Sequence, residues 1–554
     1  MAEMTETAVG IPPELAFEQD LEEGESMRGV TGKEPVQGVF SDAATKIDEE
    51  ASKKFGIKVD SEHRATQLLV WKFWQHPHTV SFWVSTLGFF VSFLSTFAAA
   101  PLLPVIRDNL NLTKSDLVNS GIAAVTGTIG ARVIMGSVCD LVGPRYGMSI
   151  LLMMTAPFVY GMAGVTNAAG FIACRCFIGL SLAAFVANQF WATLMFNRAV
   201  VGAANATSGG WGNLGGGVTQ FLMPLFLLFF TNVAGATKFQ AWRWVYFIPG
   251  TAHILTGLLA LIFGQDAPDG NYTALKKKKA MMTDKVWKIY WVGCANYRMW
   301  IGVLLYAFCF GVELTINNIL ATYFFDRFEL DLSIAGLVAS AFGMMNLFAR
   351  SVGGIMSDTS ARFFGMRGRL WILWLTLSLE GAFCAVLGTM DTLASAIVVM
   401  IIFSFWVQAS EGATYGIVPF ISRRALGVVS GFIGAGGNAG SSITQAAFFT
   451  PDSLTTQEGI KWMGVTIVGV ALFTPLIHFP MWGSMFFPGN PKATEEDYYG
   501  SEYNEEEHKS GLSANALKFA ETSQPERGSF FEKSRSKALD KAASETAARG
   551  EEEA

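Results

Sequence analysis

The chain is 554 residues long, 51% hydrophobic and only 16% charged, with a mean hydropathy of +0.35. A soluble globular protein carries about 25% charged residues, so an ordinary water-soluble globule is excluded. The formal net charge of −6 rests mainly on polar ends, and no nucleic-acid partner is expected.

Taken in order, residues 1–75 read as a polar, cytoplasmic N-terminal tail. They open on MAEMTETAVG, acidic rather than basic and not followed by an apolar stretch, so no cleavable signal peptide is expected. The first apolar run, from near Val80, then serves as the targeting signal itself. Runs of about 20 residues follow, each enough at ~1.5 Å per residue to cross a ~30 Å hydrocarbon core. They lie near 80–105, 117–139, 147–166, 170–196, 207–231, 243–264, 300–324, 334–357, 370–390, 392–420, 426–449 and 461–486. The pattern predicts an all-α membrane protein with twelve transmembrane helices embedded in a lipid bilayer. Residues 76–264 form one six-helix half, 265–299 a cytoplasmic linker, 300–487 a second six-helix half and 488–554 a cytoplasmic disordered tail.

Lys and Arg in the loops set the orientation. Lys276, Lys277, Lys278, Lys279, Lys285 and Lys288 follow the sixth span, Arg362, Arg367 and Arg369 the eighth, and Arg423 and Arg424 the tenth. The opposite loops are short, mixed or acidic, as in Asp326-Arg327-Phe328-Glu329 with Asp331. Both termini are therefore expected in the cytosol.

The two halves repeat each other. Arg132, Gly136 and Asp140 are spaced by fours in the second span, and Arg350, Gly354 and Asp358 repeat that spacing in the eighth. Gly212-Asn213-Leu214-Gly215 with Thr219-Gln220 in the fifth span returns as Gly437-Asn438-Ala439-Gly440 with Thr444-Gln445 in the eleventh. Pairing spans 2 with 8 and 5 with 11 implies a parallel repeat of six helices. It resembles the major facilitator arrangement, whose substrate sits between the halves near the membrane midplane.

Arg132 and Arg350 are the leading site candidates. Each lies eight residues, about 12 Å, inward from the Asp that marks its helix end. A guanidinium cannot shed its proton, and a charge at membrane depth costs from ~3 to over 10 kcal/mol unless it faces a cavity or a partner. A symmetric pair makes a cationic pocket whose planar N–H forks suit a flat oxyanion such as nitrate, gripped from both sides. The alternative is that each arginine pairs with a local acid or carbonyl. Tyr306, Phe310, Glu313 and Asn317 form one stripe of span seven, either helix packing or a cavity wall that sandwiches a flat anion. Asn213 and Asn438 are candidates to donate to the anion or to lock helix crossings. Glu313, Glu380 and Glu411 are carboxylates within spans. Glu313 and Glu411 are read as proton-coupling candidates, or as partners for arginine. His253 is read as packing. Cys139, Cys174, Cys176, Cys294, Cys309 and Cys384 lack metal or disulfide spacing, and no metal or other cofactor is expected.

A resemblance sharpens these readings. The stretch Gly136-Ser-Val-Cys-Asp140-Leu-Val-Gly143-Pro-Arg145 resembles the signature between spans two and three of major facilitator proteins, read with Asp358 as a gating motif. The glycine-rich segments 208–220 and 431–442 resemble the paired signatures of the nitrate/nitrite porter family. NYRMWIGVLLYAFCFGVELTINN (296–318) and VQASEGATYGIVPFISRR (407–424) are similar to its plant and algal high-affinity branch. The short central loop is of that type rather than the fungal one. The resemblance implies a two-arginine nitrate site at Arg132 and Arg350, with contacts at Phe185, Asn213, Tyr306 and Phe310. It also implies proton-coupled uptake (symport) by alternating access at the plasma membrane and, in many members, a small single-span accessory protein.

Nitrite, or both anions, is the nearest alternative cargo, and a nitrate sensor of the same fold is the alternative of another class. No nucleophile–base constellation or phosphate loop points to an enzyme. In the tail, Ser510, Ser513, Ser529, Ser534 and Ser544 are candidate phosphorylation sites, and Asn111-Leu112-Thr113 matches a glycosylation acceptor on the outer face.

Overall fold

The computed structural model describes residues 47–60, 62–197, 200–277, 285–451 and 453–528. Span 1 runs His78–Leu110, span 2 Lys114–Val142, span 3 Pro144–Gly164, span 4 Ala168–Met195, span 5 Val201–Asn232 and span 6 Lys238–Phe263. The second half follows with span 7 Tyr297–Phe328, span 8 Leu332–Phe364, span 9 Met366–Leu387, span 10 Leu393–Phe420, span 11 Leu426–Phe448 and span 12 Thr456–Leu476. Eleven of these are long and apolar enough to cross a membrane. Span 11 is the exception, because Gly, Ser and Asn dilute its apolar residues.

Local chemistry sets the ends. Thr113, Asn167, Thr237, Thr392 and Thr455 cap spans 2, 4, 6, 10 and 12 by accepting a backbone N–H from the first turn. At the other end of span 2 the chain reverses at Gly143, whose φ of +98° suits a residue without Cβ. The twelfth span is shorter than the expected 461–486. Pro475 ends it in a single 3₁₀ turn, and beyond it Phe479, Trp482 and Met485 are buried in the protein while Phe486 and Phe487 are exposed.

Packing follows the repeat. Span 2 lies along span 11, and span 5 along span 8, so the halves meet through two equivalent seams. Within the halves, spans 3 and 6 pair as do 9 and 12, and spans 2 and 4 as do 8 and 10. Close approach is made possible by small residues. A Cβ on Gly215 would lie 2.2 Å from the Phe90 carbonyl oxygen, and one on its repeat-mate Gly440 would lie 2.0 Å from that of Ala307.

The ends of the chain are more structured than composition suggests. Ile47–Asp48 and Val59–Asp60 pair antiparallel around the helix Glu49–Phe55, and Ala65 exchanges backbone bonds with Met195 and Asn197 between spans 4 and 5. The tail expected to be disordered from 488 onward instead folds over 488–528 into the helices Glu495–Gly500, Glu505–Lys509 and Ala514–Ser523. Its Tyr499 is fully buried, and Phe519 packs 5.8 Å from Phe420 of span 10. Both ends therefore sit on one face, hereafter the terminal face. Ser510 is exposed there, while Ser513 is buried and bonds His508. The other three tail serines and residues 1–46 lie outside the described residues.

Candidate functional site

Arg132 and Arg350 are both fully buried at the centre of the helix bundle. The Arg132 guanidinium lies 4.8 Å from the ring centres of both Phe185 and Phe310, held between a span 4 ring and a span 7 ring. Its Nη1 donates to the Gly434 carbonyl of span 11 at 2.5 Å, while Nε and Nη2 have no partner. The Arg350 guanidinium lies 5.6 Å from the same Phe185 ring, donates to the Glu411 carboxylate through Nη1 and reaches Tyr306 Oη at 3.0 Å through Nη2. Both cations thus contact one phenyl ring.

The aromatic residues form a cluster of three near-parallel rings, with Phe185 also 6.3 Å from Tyr306. Tyr306 and Phe310 are nearly parallel at 5.2 Å, and Phe185 lies 5.9 Å from Phe310 at 18°. Tyr415 closes the end edge-on, 5.2 Å from Phe185 and 5.3 Å from Tyr306. Tyr306 and Phe310 meet across a break in span 7, where the helix Tyr297–Ala307 ends and a second helix begins at Phe310. Glycines admit the cations: a Cβ on Gly434 would come within 3.3 Å of Arg132 Nη1, and one on Gly209, its repeat-mate in span 5, within 3.1 Å of Arg350 Nε.

Beside the arginines lies a carboxylate–amide network. Asn213 Nδ2 donates to Glu313 at 2.7 Å and to Glu411 at 3.1 Å, and Asn346 Nδ2 donates to the other oxygen of Glu313 at 2.6 Å. Glu380, also fully buried, accepts only from Ser410 Oγ at 2.7 Å. Asn438 occupies the position equivalent to Asn213, yet neither atom of its amide is bonded. It is not joined to the carboxylates, because those stand in the second half alone. His253 bonds Ser95 and Thr155 within the first half, away from this network.

On the terminal face Asp140 and Asp358 lie at the two seams between the halves. A Cβ on Gly427 would lie 2.9 Å from the Asp140 carboxylate, and one on Gly202 would lie 2.7 Å from that of Asp358. Each Asp therefore sits at the first turn of a helix from the opposite half, where free N–H groups and the helix dipole favour a carboxylate. Gly136 and Gly354 let those helices approach. Asp358 also pairs with Arg369 at 2.6 Å, and Arg369 reaches Glu526 of the tail at 2.8 Å. Arg145 stays within its own half: its N–H donates to Asp266 at 3.0 Å and its Nη1 to the Leu261 carbonyl at 3.2 Å. Burial raises the Asp266 carboxyl above its ordinary value, opposed by the N–H groups of Arg145 and Tyr272. On the far face a cavity of about 570 Å³ opens between the halves, bordered by Gly121, Arg175, Asn318 and Gln445. Arg132 lies about 16 Å deeper along span 2 at ~1.5 Å per residue.

Sequence reasoning missed Tyr415, Asn346 and Arg175. Asn346 was within reach, since it extends the every-fourth-residue stripe of Arg350, Gly354 and Asp358. Tyr415 was within reach too, since it follows Glu411 by four residues in span 10.

Comparison with known proteins agrees with this architecture. The family profile described as Major Facilitator Superfamily matches residues 85–445. The chain is 50% identical over 494 residues to the high affinity nitrate transporter 2.5 of Arabidopsis thaliana, covering 89% of this chain and 98% of that protein. It is 48% identical over 486 residues to nitrate transporter 2.1 of Chlamydomonas reinhardtii, covering 86% and 88%. Among solved structures, the proton:xylose symporter XylE bound to 6-bromo-6-deoxy-D-glucose superposes with a TM-score of 0.53 at 16% identity, over 72% of this chain and 95% of that one. At that identity the likeness establishes the fold. Fold and relatives alike are those of transporters, not enzymes.

Proposed function

The chain belongs to the Major Facilitator Superfamily, and we propose that it is a high-affinity nitrate transporter, carrying the anion between its halves by alternating access in symport with protons. The observation that carries this reading is Arg132: a buried cation with two N–H-bearing nitrogens unpartnered and no carboxylate bonded to it. An unsatisfied buried donor costs about 1–3 kcal/mol, more when charged, and a flat oxyanion between Arg132 and Arg350 would relieve it. Guanidiniums already cover faces of the ring cluster. The anion therefore belongs at the ring edges, which carry positive potential.

The carboxylates supply the coupling. Arg132 and Arg350 against ionised Glu313 and Glu411 leave the site neutral, so a bare nitrate would bring in an uncompensated buried charge. Protonation of Glu411 frees Arg350 to take the anion, and Asn213 and Asn346 hold Glu313 in place. Two protons per nitrate convert the transfer into net inward positive charge, worth ~2.3 kcal/mol per 100 mV. The terminal face, with Arg369, Arg423 and Arg424, is assigned to the cytosol by the positive-inside rule, and the membrane to the plasma membrane. In this reading the contacts of Asp140 and Asp358 close the cytoplasmic gate, while the far cavity opens outward.

Voltage-clamped cells expressing the chain, alone and with a single-span accessory protein, test the reading. An inward, acid-stimulated nitrate current, lost in Arg350→Lys, is expected, because lysine keeps the charge but not the fork. Unchanged current and half-saturation in that variant would show that the arginines are structural. Nitrite in place of nitrate in the same cells measures whether the site carries both anions.

A further inference from the structure

Away from the central site, a buried cation of span 4 lacks a countercharge among the described residues. Arg175 of span 4 is buried, and its bonded partners are neutral: Ser120 Oγ at 3.0 Å and Asn318 Oδ1 at 2.9 Å. Its Nε has no partner. A buried charge without an opposite charge is costly, and bonds to one hydroxyl and one amide oxygen do not neutralise it.

Arg175 borders the far cavity, and so do three more buried donors without a partner: Asn318 Nδ2, Thr322 Oγ1 and Tyr323 Oη. The wall also carries Arg107, Lys114 and Arg327 against a single carboxylate, Asp326. Arg107 pairs with Asp108 at 3.4 Å and approaches Asp326 to 3.9 Å, and Arg327 pairs outward with Asp391 at 3.1 Å. Arg175, with no carboxylate bonded to it, and these orphaned donors of span 7 make a site for an anion.

We propose that Arg175 and Asn318, with Thr322 and Tyr323, form an outer docking site for the transported oxyanion, occupied before it moves inward to Arg132 and Arg350. This deepens the nitrate reading and rests on it. Span 2 contributes Ser120 and Arg132 from one helix, so the two sites lie along one path. Arg175 also joins the halves, since Asn318 belongs to the second half. An anion on Arg175 competes for the fork that holds Asn318, and so couples arrival of cargo to the seam that must close behind it. The wall cations raise the local anion concentration, an effect that weakens with ionic strength.

The test measures nitrate uptake against external nitrate for the full chain, and nitrate binding to the purified chain in lipid nanodiscs. Arg175→Gln is expected to raise KM by roughly tenfold, the equivalent of 1.4 kcal/mol, with maximal uptake within about twofold. Arg175→Lys, which retains the charge, should recover much of that loss. Weak nitrate binding should persist in the Arg132→Gln/Arg350→Gln double variant and vanish when Arg175→Gln is added. Where Arg175→Gln fails to reach the membrane, Thr322→Asp takes its place: a carboxylate on the cavity wall should raise KM several-fold without touching Arg175. A fall in maximal uptake with KM unmoved would make Arg175 a strut between helices and overturn the proposal. Absence of nitrate uptake by the unmodified chain would instead remove the transport reading itself.

Discussion

The two halves place their arginines at equivalent positions but surround them differently. Arg132 has one carbonyl and two aromatic faces for company, whereas Arg350 has a carboxylate and a phenol. All three membrane carboxylates near the site, Glu313, Glu380 and Glu411, stand in the second half. The same amide position bonds two carboxylates as Asn213 and nothing as Asn438. Repetition supplied the scaffold twice, and divergence then left a cation without a carboxylate in one half and placed the titratable groups in the other.

The largest test of this contrast replaces each arginine by glutamine. Either change should cut nitrate uptake by roughly a hundredfold or more, since a charge-assisted fork is lost. Stability should separate them. Arg350→Gln leaves the Glu411 charge uncompensated and should cost about 3–5 kcal/mol, while Arg132→Gln removes a cation that has no carboxylate partner and should leave thermal unfolding in detergent nearly unchanged or higher. Equal destabilisation by both would erase the asymmetry.

Next in size is Glu411→Gln. A neutral amide mimics the protonated acid, so uptake at fixed voltage should lose its acid stimulation, with a change of roughly tenfold or less between pH 5 and 8 disappearing from the profile. A profile that keeps its slope would move the proton to Glu313 or Glu380. The paired substitutions Gly434→Ala and Gly209→Ala come third. Each adds a methyl beside one guanidinium, at 3.3 and 3.1 Å, and each should raise KM by a few-fold, about the cost of mild overpacking. An effect confined to one of them would show which arginine the anion meets more tightly.

Much of this was legible before any coordinates. Spans, repeat and arginines are written in hydropathy and in fours, because the membrane forces helices and penalises charge. Choice of partner was not. Asn213 bonds carboxylates 100 and 198 positions away, and no local spacing encodes such a meeting. The tail misled composition for a related reason. Its own apolar residues are few, but Tyr499 and Phe519 borrow surface from Phe420 and Trp482 on the membrane domain, which a count over the tail alone does not see.

That docking yields the smallest prediction. Side-chain bonds from Arg424 and Lys288 hold the Glu507 carboxyl below its ordinary value of 4.5. The contribution is therefore full above that ordinary value and fades as pH falls through the lowered one. Glu507→Gln should reproduce the loss at neutral pH, increasing protease cutting within 495–510 several-fold, since the Arg424 side chain, 4% exposed, loses this carboxylate. Cleavage unaltered by the substitution would mean that the aromatic contacts alone hold the tail.

Span 11 has a consequence for biosynthesis. A helix diluted with glycine, serine and asparagine gains little on entering lipid by itself, because insertion is favoured by Leu, Ile, Phe and Val. What it gains comes from span 2 on one side and span 7 on the other, both of which leave the ribosome first. The eleventh crossing is thus conditional on its predecessors having assembled. A chain whose second span is made too polar should translocate its final two crossings with the wrong topology, although every residue of those crossings is intact.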